Sequence, residues 1–348
     1  MTPSKILIVR LRRAGDIIMT TPAVTLLRKH FPAAKLAYLV EEPFRRLVEG
    51  NPDLDRVIAV SPKPPFADFI RFIREVRNEA YDILIDLHGG PRASWITFWS
   101  GAKVKAGYEI KGKRFLYDVR VSRRGAGGPV HSVQNHANLV RALGAEFGDS
   151  EIPPLSLPAA KPEEIVRVEA ILRGAKDDNA AGKEFKLVVL HIGAGNRFRD
   201  WGKENLSALV KLLAALPNVR IALVGADADR GVQDEILAGG AAAVLPLAGR
   251  LNFIEVRELI RRAALFVGPD SGPMHLAAST ETPIVAYFGP TLPAHFAPWR
   301  PSWTKTVILQ KDLSCRPCPQ RECVTDDFRC LLAIGPDEVF AACRPFLA

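Results

Sequence analysis

Short apolar runs rich in β-branched residues alternate along the chain with segments whose apolar positions recur at helical spacing. The first run, Lys5-Ile-Leu-Ile-Val9, predicts a strand over 5–10, and a helix follows from about Thr20 to His30. Further pairs follow: strand 35–40 with helix 43–49, strand 56–60 with helix 66–79, then Asp82-Ile-Leu-Ile-Asp86 with a helix after Gly90. In the segment from Phe66, residues Phe69, Ile70, Phe72, Ile73 and Val76 share one face, which is read as ordinary core packing. A helix over His131–Gly144 closes this set. Residues 161–184 read as a linker: Pro162 opens it, a helix spans Glu163–Arg173, and a polar run follows. The alternation then restarts, with strands near 186–191, 220–224, 243–246, 265–268 and 284–288 and helices near 203–215, 229–238, 253–262 and 273–279. Strands that alternate with helices imply parallel, doubly wound sheets. The pattern therefore predicts an α/β chain with a domain over 1–160, a second over 185–330, and a terminal helix over 331–348.

In such folds the chemistry sits in the loops after the strands, and three of these loops are informative. The stretch Leu265-Phe-Val-Gly-Pro-Asp-Ser-Gly-Pro-Met-His275 reads as a strand that bends into a helix, with Pro273 at the first helical position. Such a bend aims the amides of Met274 and His275, and the positive end of the helix, outward toward an anion. Asp270 and His275 add an acceptor and a titratable donor, suited to a ligand with both phosphate and hydroxyl groups. An ordinary strand–helix turn, capped by Asp270 or Ser271, fits the same residues. The loop His191-Ile-Gly-Ala-Gly-Asn-Arg-Phe-Arg-Asp-Trp201 is glycine-rich and basic, with Arg197 and Arg199 able to meet phosphate. Phe198 stands where a dinucleotide fingerprint would carry its third glycine, which argues against a nicotinamide cofactor. The loop after the first strand, Leu11-Arg-Arg-Ala-Gly-Asp16, has Gly15 for a turn and sets a carboxylate beside it.

Charge and cysteine usage narrow the partners. The 348 residues carry 47 Lys and Arg against 38 Asp and Glu, a net charge of +9 that favours an anionic partner. Between Lys103 and Arg124 the basic residues Lys103, Lys105, Lys111, Lys113, Arg114, Arg120, Arg123 and Arg124 face only Glu109 and Asp118. Tyr108, Phe115 and Tyr117 lie among them, so this loop is expected to clamp an acidic, partly apolar acceptor. No nucleic-acid-binding pattern accompanies it, and none is expected to bind. Cys315, Cys318, Cys323 and Cys330 are crowded into one loop. A zinc site there is the alternative; the spacing matches no finger or ribbon, so reduced thiols and no metal are the reading adopted. No apolar run reaches the length of a membrane span, and the expectation is a cytoplasmic protein.

These motifs together resemble glycosyltransferase family 9, the bacterial ADP-heptose:lipopolysaccharide heptosyltransferases, over essentially the whole length. The resemblance is carried by Leu11-Arg-Arg-Ala-Gly-Asp-Ile-Ile-Met-Thr-Thr-Pro22, the Trp201 loop, Gly268-Pro-Asp-Ser-Gly-Pro-Met-His275, Tyr287-Phe-Gly-Pro-Thr291 and the cysteine segment. With Gly50-Asn-Pro-Asp-Leu-Asp55 and the stretch from Lys103 to Tyr117, it leans toward the heptosyltransferase III branch. It implies a GT-B fold of two Rossmann-like domains facing across a cleft, an acceptor site in the first, a nucleotide-sugar site in the second, and a final helix that returns to the first domain. It implies inverting transfer of heptose from ADP-L-glycero-D-manno-heptose to the inner core of lipopolysaccharide, without a required cofactor, at the cytoplasmic face of the inner membrane. Asp16 matches the general base. Arg199, where relatives often carry Lys, would stabilise the departing ADP. Donor contacts would come from Gly193, Ala194, Gly195, Asn196, Asp229, Asp270, Ser271, Gly272, Met274 and His275. Acceptor contacts would come from Arg12, Arg13, Lys111, Lys113 and Arg114. A family 9 transferase with another nucleotide sugar, or a nucleotide-sugar-binding protein without turnover, are the alternatives.

Overall fold

The computed structural model describes residues 3–112, 114–123, 128–177, 184–193, 195–240 and 243–348. The chain divides into two compact units, Met1–Ala159 and Ala160–Ala348. Unit 1 holds β1 (Lys5–Val9), β2 (Lys35–Glu41), β3 (Arg56–Val60), β4 (Ile83–Asp86), β5 (Val104–Tyr108) and β6 (Val119–Val121), in the order β3-β2-β1-β4-β5-β6. Every neighbouring pair is parallel. Ile6, Leu7, Ile8 and Val9 are all fully buried, so both faces of β1 are covered by helices. That is why the strand reads as a continuous apolar run without alternation. On one face Leu7, Val9, Leu39 and Leu84 pack against Ile73 and Val76 of the Phe66–Asn78 helix and Ala93 and Ile96 of the Pro91–Trp99 helix.

Two strands of this unit, β5 and β6, lie inside the basic run that reads as a loop in the sequence. Gly107 in β5 makes room for the Tyr117 ring, which a Cβ at that position would overlap. Tyr108 and Tyr117 are therefore core residues rather than members of an exposed clamp.

Unit 2 repeats the plan with β7 (Lys186–His191), β8 (Val219–Val224), β9 (Val244–Pro246), β10 (Leu265–Pro269), β11 (Ile284–Phe288) and β12 (Thr306–Gln310). The order is β12-β11-β10-β7-β8-β9, again parallel throughout. The segment expected as a linker is largely the Pro162–Asp177 helix, which belongs to this unit: Arg167 reaches Glu255 at 3.3 Å and the Arg250 carbonyl at 2.7 Å. The terminal helix, Pro336–Leu347, corrects a second expectation. Its Val339 and Cys343 are fully buried in the core of unit 2, beside Leu206, Val210 and Tyr287, so it completes that unit instead of returning to the first. Trp201 braces the same corner, donating from Nε1 to the Ile334 carbonyl at 2.7 Å and stacking on Tyr287.

In each sheet the strand order reverses beside the first strand, between β1 and β4 in unit 1 and between β7 and β10 in unit 2. Loops that leave the carboxyl ends of those strands diverge and open a crevice, where ligands of such sheets bind. Among the described residues no helix is long and apolar enough to cross a membrane.

Candidate functional site

In unit 1 the crevice is formed by the loop after β1 and the loop after β4. The chain leaves β1 at Arg10 and turns into a short helix, Ala14–Ile18, that carries Asp16 in its first turn. Asp16 accepts the Arg13 N–H at 3.3 Å and pairs with the buried Arg10 guanidinium at 2.7 Å, both through Oδ2. Arg10 is itself anchored, donating to the Leu87 carbonyl at 2.6 Å. Partial burial works to raise the Asp16 pKa, but the charge of Arg10 and the hydrogen bonds from Arg13 and Arg10 outweigh it and hold the group below the ordinary carboxylate range. The side chain is nonetheless 38% exposed, so it is an ionised carboxylate open to a ligand.

Behind it lies a polar cluster. Asp86 at the end of β4 is fully buried and accepts from the His88 and Gly89 amides at 2.9 and 2.8 Å and from the Tyr117 hydroxyl at 2.7 Å. Burial pushes its pKa up against those bonds. His88 is pushed down to about 4 by burial and by the positive charges of Arg10 and Arg12, so it is a neutral imidazole at physiological pH. His136, hydrogen-bonded to Tyr108 at 2.5 Å, is likewise held neutral by burial and by Arg10. Arg123 stacks on the Tyr108 ring at 3.9 Å. The crevice of unit 1 therefore sets the exposed Asp16 carboxylate in front of the buried Asp86, beside the cationic Arg10 and the neutral His88 and His136.

The expected acceptor residues distribute unevenly. Arg12 and Arg13 are exposed in the Asp16 loop, and Lys111 is exposed in the turn after β5. Lys103 instead pairs with Asp82 at 2.7 Å, at the opposite end of β4. Lys113 and the side chain of Arg114 lie outside the described residues.

In unit 2 the loop after β7 and the bend after β10 form the second crevice. A Cβ at Gly193 would overlap the Asp229 carboxylate, which accepts the Ala226 amide at 2.7 Å, so a side chain there would displace that carboxylate. Gly195 takes a left-handed conformation, φ +60°, that favours glycine. Asn196 caps the turn that follows, accepting from the Phe198 amide at 3.0 Å, and this turn sets Arg199 toward β10. Arg199 donates to the Asp270 carbonyl at 3.1 Å and lies 3.4 Å from its carboxylate. Thr291 donates to that carboxylate at 2.6 Å. Gln320 accepts from both Arg199 and Asn196, at 3.1 and 2.8 Å, and so ties the loop after β7 to the cysteine segment. Ala194 lies outside the described residues.

The bend after β10 starts its helix at Gly272, with Pro273 second, one residue earlier than the sequence suggested. Ser271 occupies the capping position without making a side-chain cap; its hydroxyl meets Nδ1 of His191 at 3.0 Å instead. Burial alone pushes His191 down to about 3, so the ring is neutral. Met274 is fully buried, which restricts any contribution from it to the backbone, and His275 is buried as well.

Cys315, Cys318, Cys323 and Cys330 line one small cavity with Phe198 and Phe328. All four are free thiols, and among the described residues no set of three or more Cys, His, Asp or Glu is arranged to hold a metal ion. Hydrogen bonds from Thr325 and neighbouring amides draw the Cys323 thiol down to about 7.

Sequence reasoning missed Arg10, Asp86, His88 and His136 in unit 1, and Thr291 and Gln320 in unit 2. An arginine closing a strand of buried apolar residues and the His88-Gly-Gly90 turn after β4 were the available signals. The others become visible only through contacts distant in sequence.

Two six-stranded parallel sheets in tandem, each reversing its strand order beside its first strand, make a two-domain α/β architecture of the GT-B class. The family model of Glycosyltransferase family 9 (heptosyltransferase) matches residues 69–328, and the chain belongs to that family. Lipopolysaccharide heptosyltransferase 3 of Escherichia coli is 26% identical over 303 residues, covering 83% of this chain and 84% of that protein. Among solved structures, a glycosyltransferase family 9 protein from Veillonella parvula superposes with a TM-score of 0.85 at 21% identity, over 99% of this chain and 97% of that one. The ADP-heptose lipopolysaccharide heptosyltransferase II of E. coli gives 0.77 at 20% identity, over 99% and 98%.

Proposed function

We propose that the protein transfers heptose from ADP-L-glycero-D-manno-heptose to an anionic acceptor sugar of the lipopolysaccharide inner core, with inversion at the anomeric carbon. The observation that carries the reading is Asp16: ionised by its pairing with Arg10, yet still open to a ligand. Its Oδ2 is engaged by Arg10 and Arg13, which leaves Oδ1 for the acceptor hydroxyl. As that hydroxyl attacks the anomeric carbon, its proton passes to Asp16 and the bond to the ADP oxygen breaks. A carboxylate with a depressed pKa is a weak resting base, and it gains the proton only as the hydroxyl becomes acidic in the transition state. Arg10 prevents premature protonation, and the imidazoles of His88 and His136, held neutral, add no further positive charge beside Asp16.

Unit 2 supplies the donor half. The helix start at Gly272 and the glycine-rich loop suit the pyrophosphate, Asp229 the ribose hydroxyls, and Asp270, braced by Thr291, the heptose hydroxyls. Arg199 would shift from Asp270 toward the charge that develops on departing ADP. The acceptor half takes its positive charge from Arg12, Arg13 and Lys111, with Lys113 and Arg114 beside them in sequence. No cofactor enters this scheme, and the protein acts where its acceptor is built, at the cytoplasmic face of the inner membrane.

Calorimetric titration against ADP-heptose and other ADP- and UDP-sugars tests the donor. Preferential binding of ADP-heptose supports the reading. Tighter binding of a different nucleotide sugar would replace the donor while leaving the family intact.

A further inference from the structure

The Pro91–Trp99 helix leaves the loop after β4 and presents an outer face that is not polar. Trp95 is 57% exposed, Phe98 40% and Trp99 47%, and Phe115, from the turn after β5, is 76% exposed. These rings form one cluster: Trp95 to Phe98 is 6.5 Å between centroids, Phe98 to Trp99 4.9 Å and Phe98 to Phe115 6.3 Å. Between the helix and the turn lies a cavity of about 320 Å³ lined by Pro91, Ser94, Trp95, Phe98, Phe115 and Leu116. Scattered apolar residues on a surface need no explanation, but contiguous aromatic rings around an apolar cavity mark an interaction surface.

What covers it is indicated by composition and charge. Two tryptophans on one short helix are amphipathic rings of the kind that settle at the level of lipid headgroups. Lys111 is exposed just before Phe115, Arg120 is exposed on the edge strand β6, and the sequence adds Lys113 and Arg114 between them. An anionic phospholipid surface meets both: the cations approach the headgroup phosphates while the rings enter the boundary with the acyl chains. A short helix cannot span a bilayer, so the contact is interfacial.

We infer that the Trp95, Phe98, Trp99 and Phe115 face of unit 1 is a membrane-docking surface for anionic phospholipid bilayers. The inference needs neither donor nor acceptor, so it stands or falls apart from the transfer reaction. It is tested by co-sedimenting the full-length protein with vesicles of phosphatidylglycerol and phosphatidylethanolamine, or of phosphatidylcholine alone, at low and high salt. The wild type is expected to bind the anionic vesicles, to release them as salt rises, and to show tryptophan fluorescence that brominated acyl chains quench. The double variant Trp95→Ser, Trp99→Ser should bind them about tenfold more weakly and lose the quenching, while its unfolding transition and its transfer to a deacylated, water-soluble acceptor stay at wild-type levels. Equal partitioning of wild type and variant would overturn the assignment, as would a wild type left in the supernatant at low salt. So would a concentration-dependent dimer that the double substitution dissolves, which would make this face a contact between copies of the chain.

Discussion

Each unit sets an arginine against a carboxylate at the point where its strand order reverses, and the two pairs are built differently. In unit 1 the arginine is buried and the carboxylate open: Arg10 has 9% of its side chain exposed and Asp16 38%. In unit 2 the arrangement is inverted, with Arg199 at 27% and Asp270 at 4%. In each pair the more exposed partner has room to move toward a ligand, while the buried one, Arg10 or Asp270, holds its place. The open carboxylate of unit 1 is suited to receive a proton, whereas the open arginine of unit 2 is suited to meet developing negative charge. On the proposed mechanism, the same kind of ion pair would serve opposite electrostatic tasks because burial is assigned to opposite members.

Substitutions on the two pairs should therefore separate. Asp16→Asn keeps the shape and removes the base, and transfer should fall by roughly 10²–10⁴-fold in an assay of ADP release. Arg199→Ala should lower turnover by about 10²–10³-fold, and Arg199→Lys should recover part of it because charge survives without the planar fork that reaches both the Asp270 carbonyl and Gln320. A uniform loss of donor affinity in both Arg199 variants, with turnover unchanged, would make that residue a binding group only.

Arg10→Gln sharpens the comparison through pH. Arg10 lowers the Asp16 pKa, so its removal lets burial raise it, and the acidic limb of the pH–rate profile should move to higher pH. For stability the sign is the same: a depressed carboxylate stabilises the fold above its unfolded pKa and loses that contribution as pH falls through its folded value. The variant should accordingly show a shallower loss of stability on acidification. A profile that does not move would show that Arg10 has no hold on the base. The smallest effect on transfer is expected at the brace of unit 2: Trp201→Phe removes the Nε1–Ile334 bond, leaves that buried carbonyl unpaired and opens a cavity beside Tyr287, and should cost roughly 2–4 kcal/mol in urea unfolding, with transfer rates nearly unchanged.

The sequence carried the frame of both sheets because central parallel strands are apolar on both faces, as in Lys5–Val9, Lys186–His191 and Ile284–Phe288. It did not reveal β5 and β6, since Val104-Lys-Ala-Gly-Tyr108 and Val119-Arg-Val121 carry charges at the margin of the sheet and read as a basic loop. Nor did it reveal β12, an edge strand that is only partly buried. The terminal helix was assigned to the wrong unit because an amphipathic face carrying Val339 and Cys343 does not say which sheet it will cover. Asp16, Arg199 and Asp270 could be found because each sits in a glycine-bearing loop directly after or beside a strand. Arg10, His88 and His136 could not be grouped, since only the pairing of β1 with β4 and the packing of the Ser132–Arg141 helix bring them to one pocket.

The most direct test of the account measures donor affinity and transfer rate on one preparation of Asp16→Asn. If Asp16 is the base, the dissociation constant for ADP-heptose stays at the wild-type value, because the proposed donor contacts all lie in unit 2, while transfer to the core acceptor is lost. Transfer at the wild-type rate by this variant would contradict the assignment and with it the division of labour between the two ion pairs.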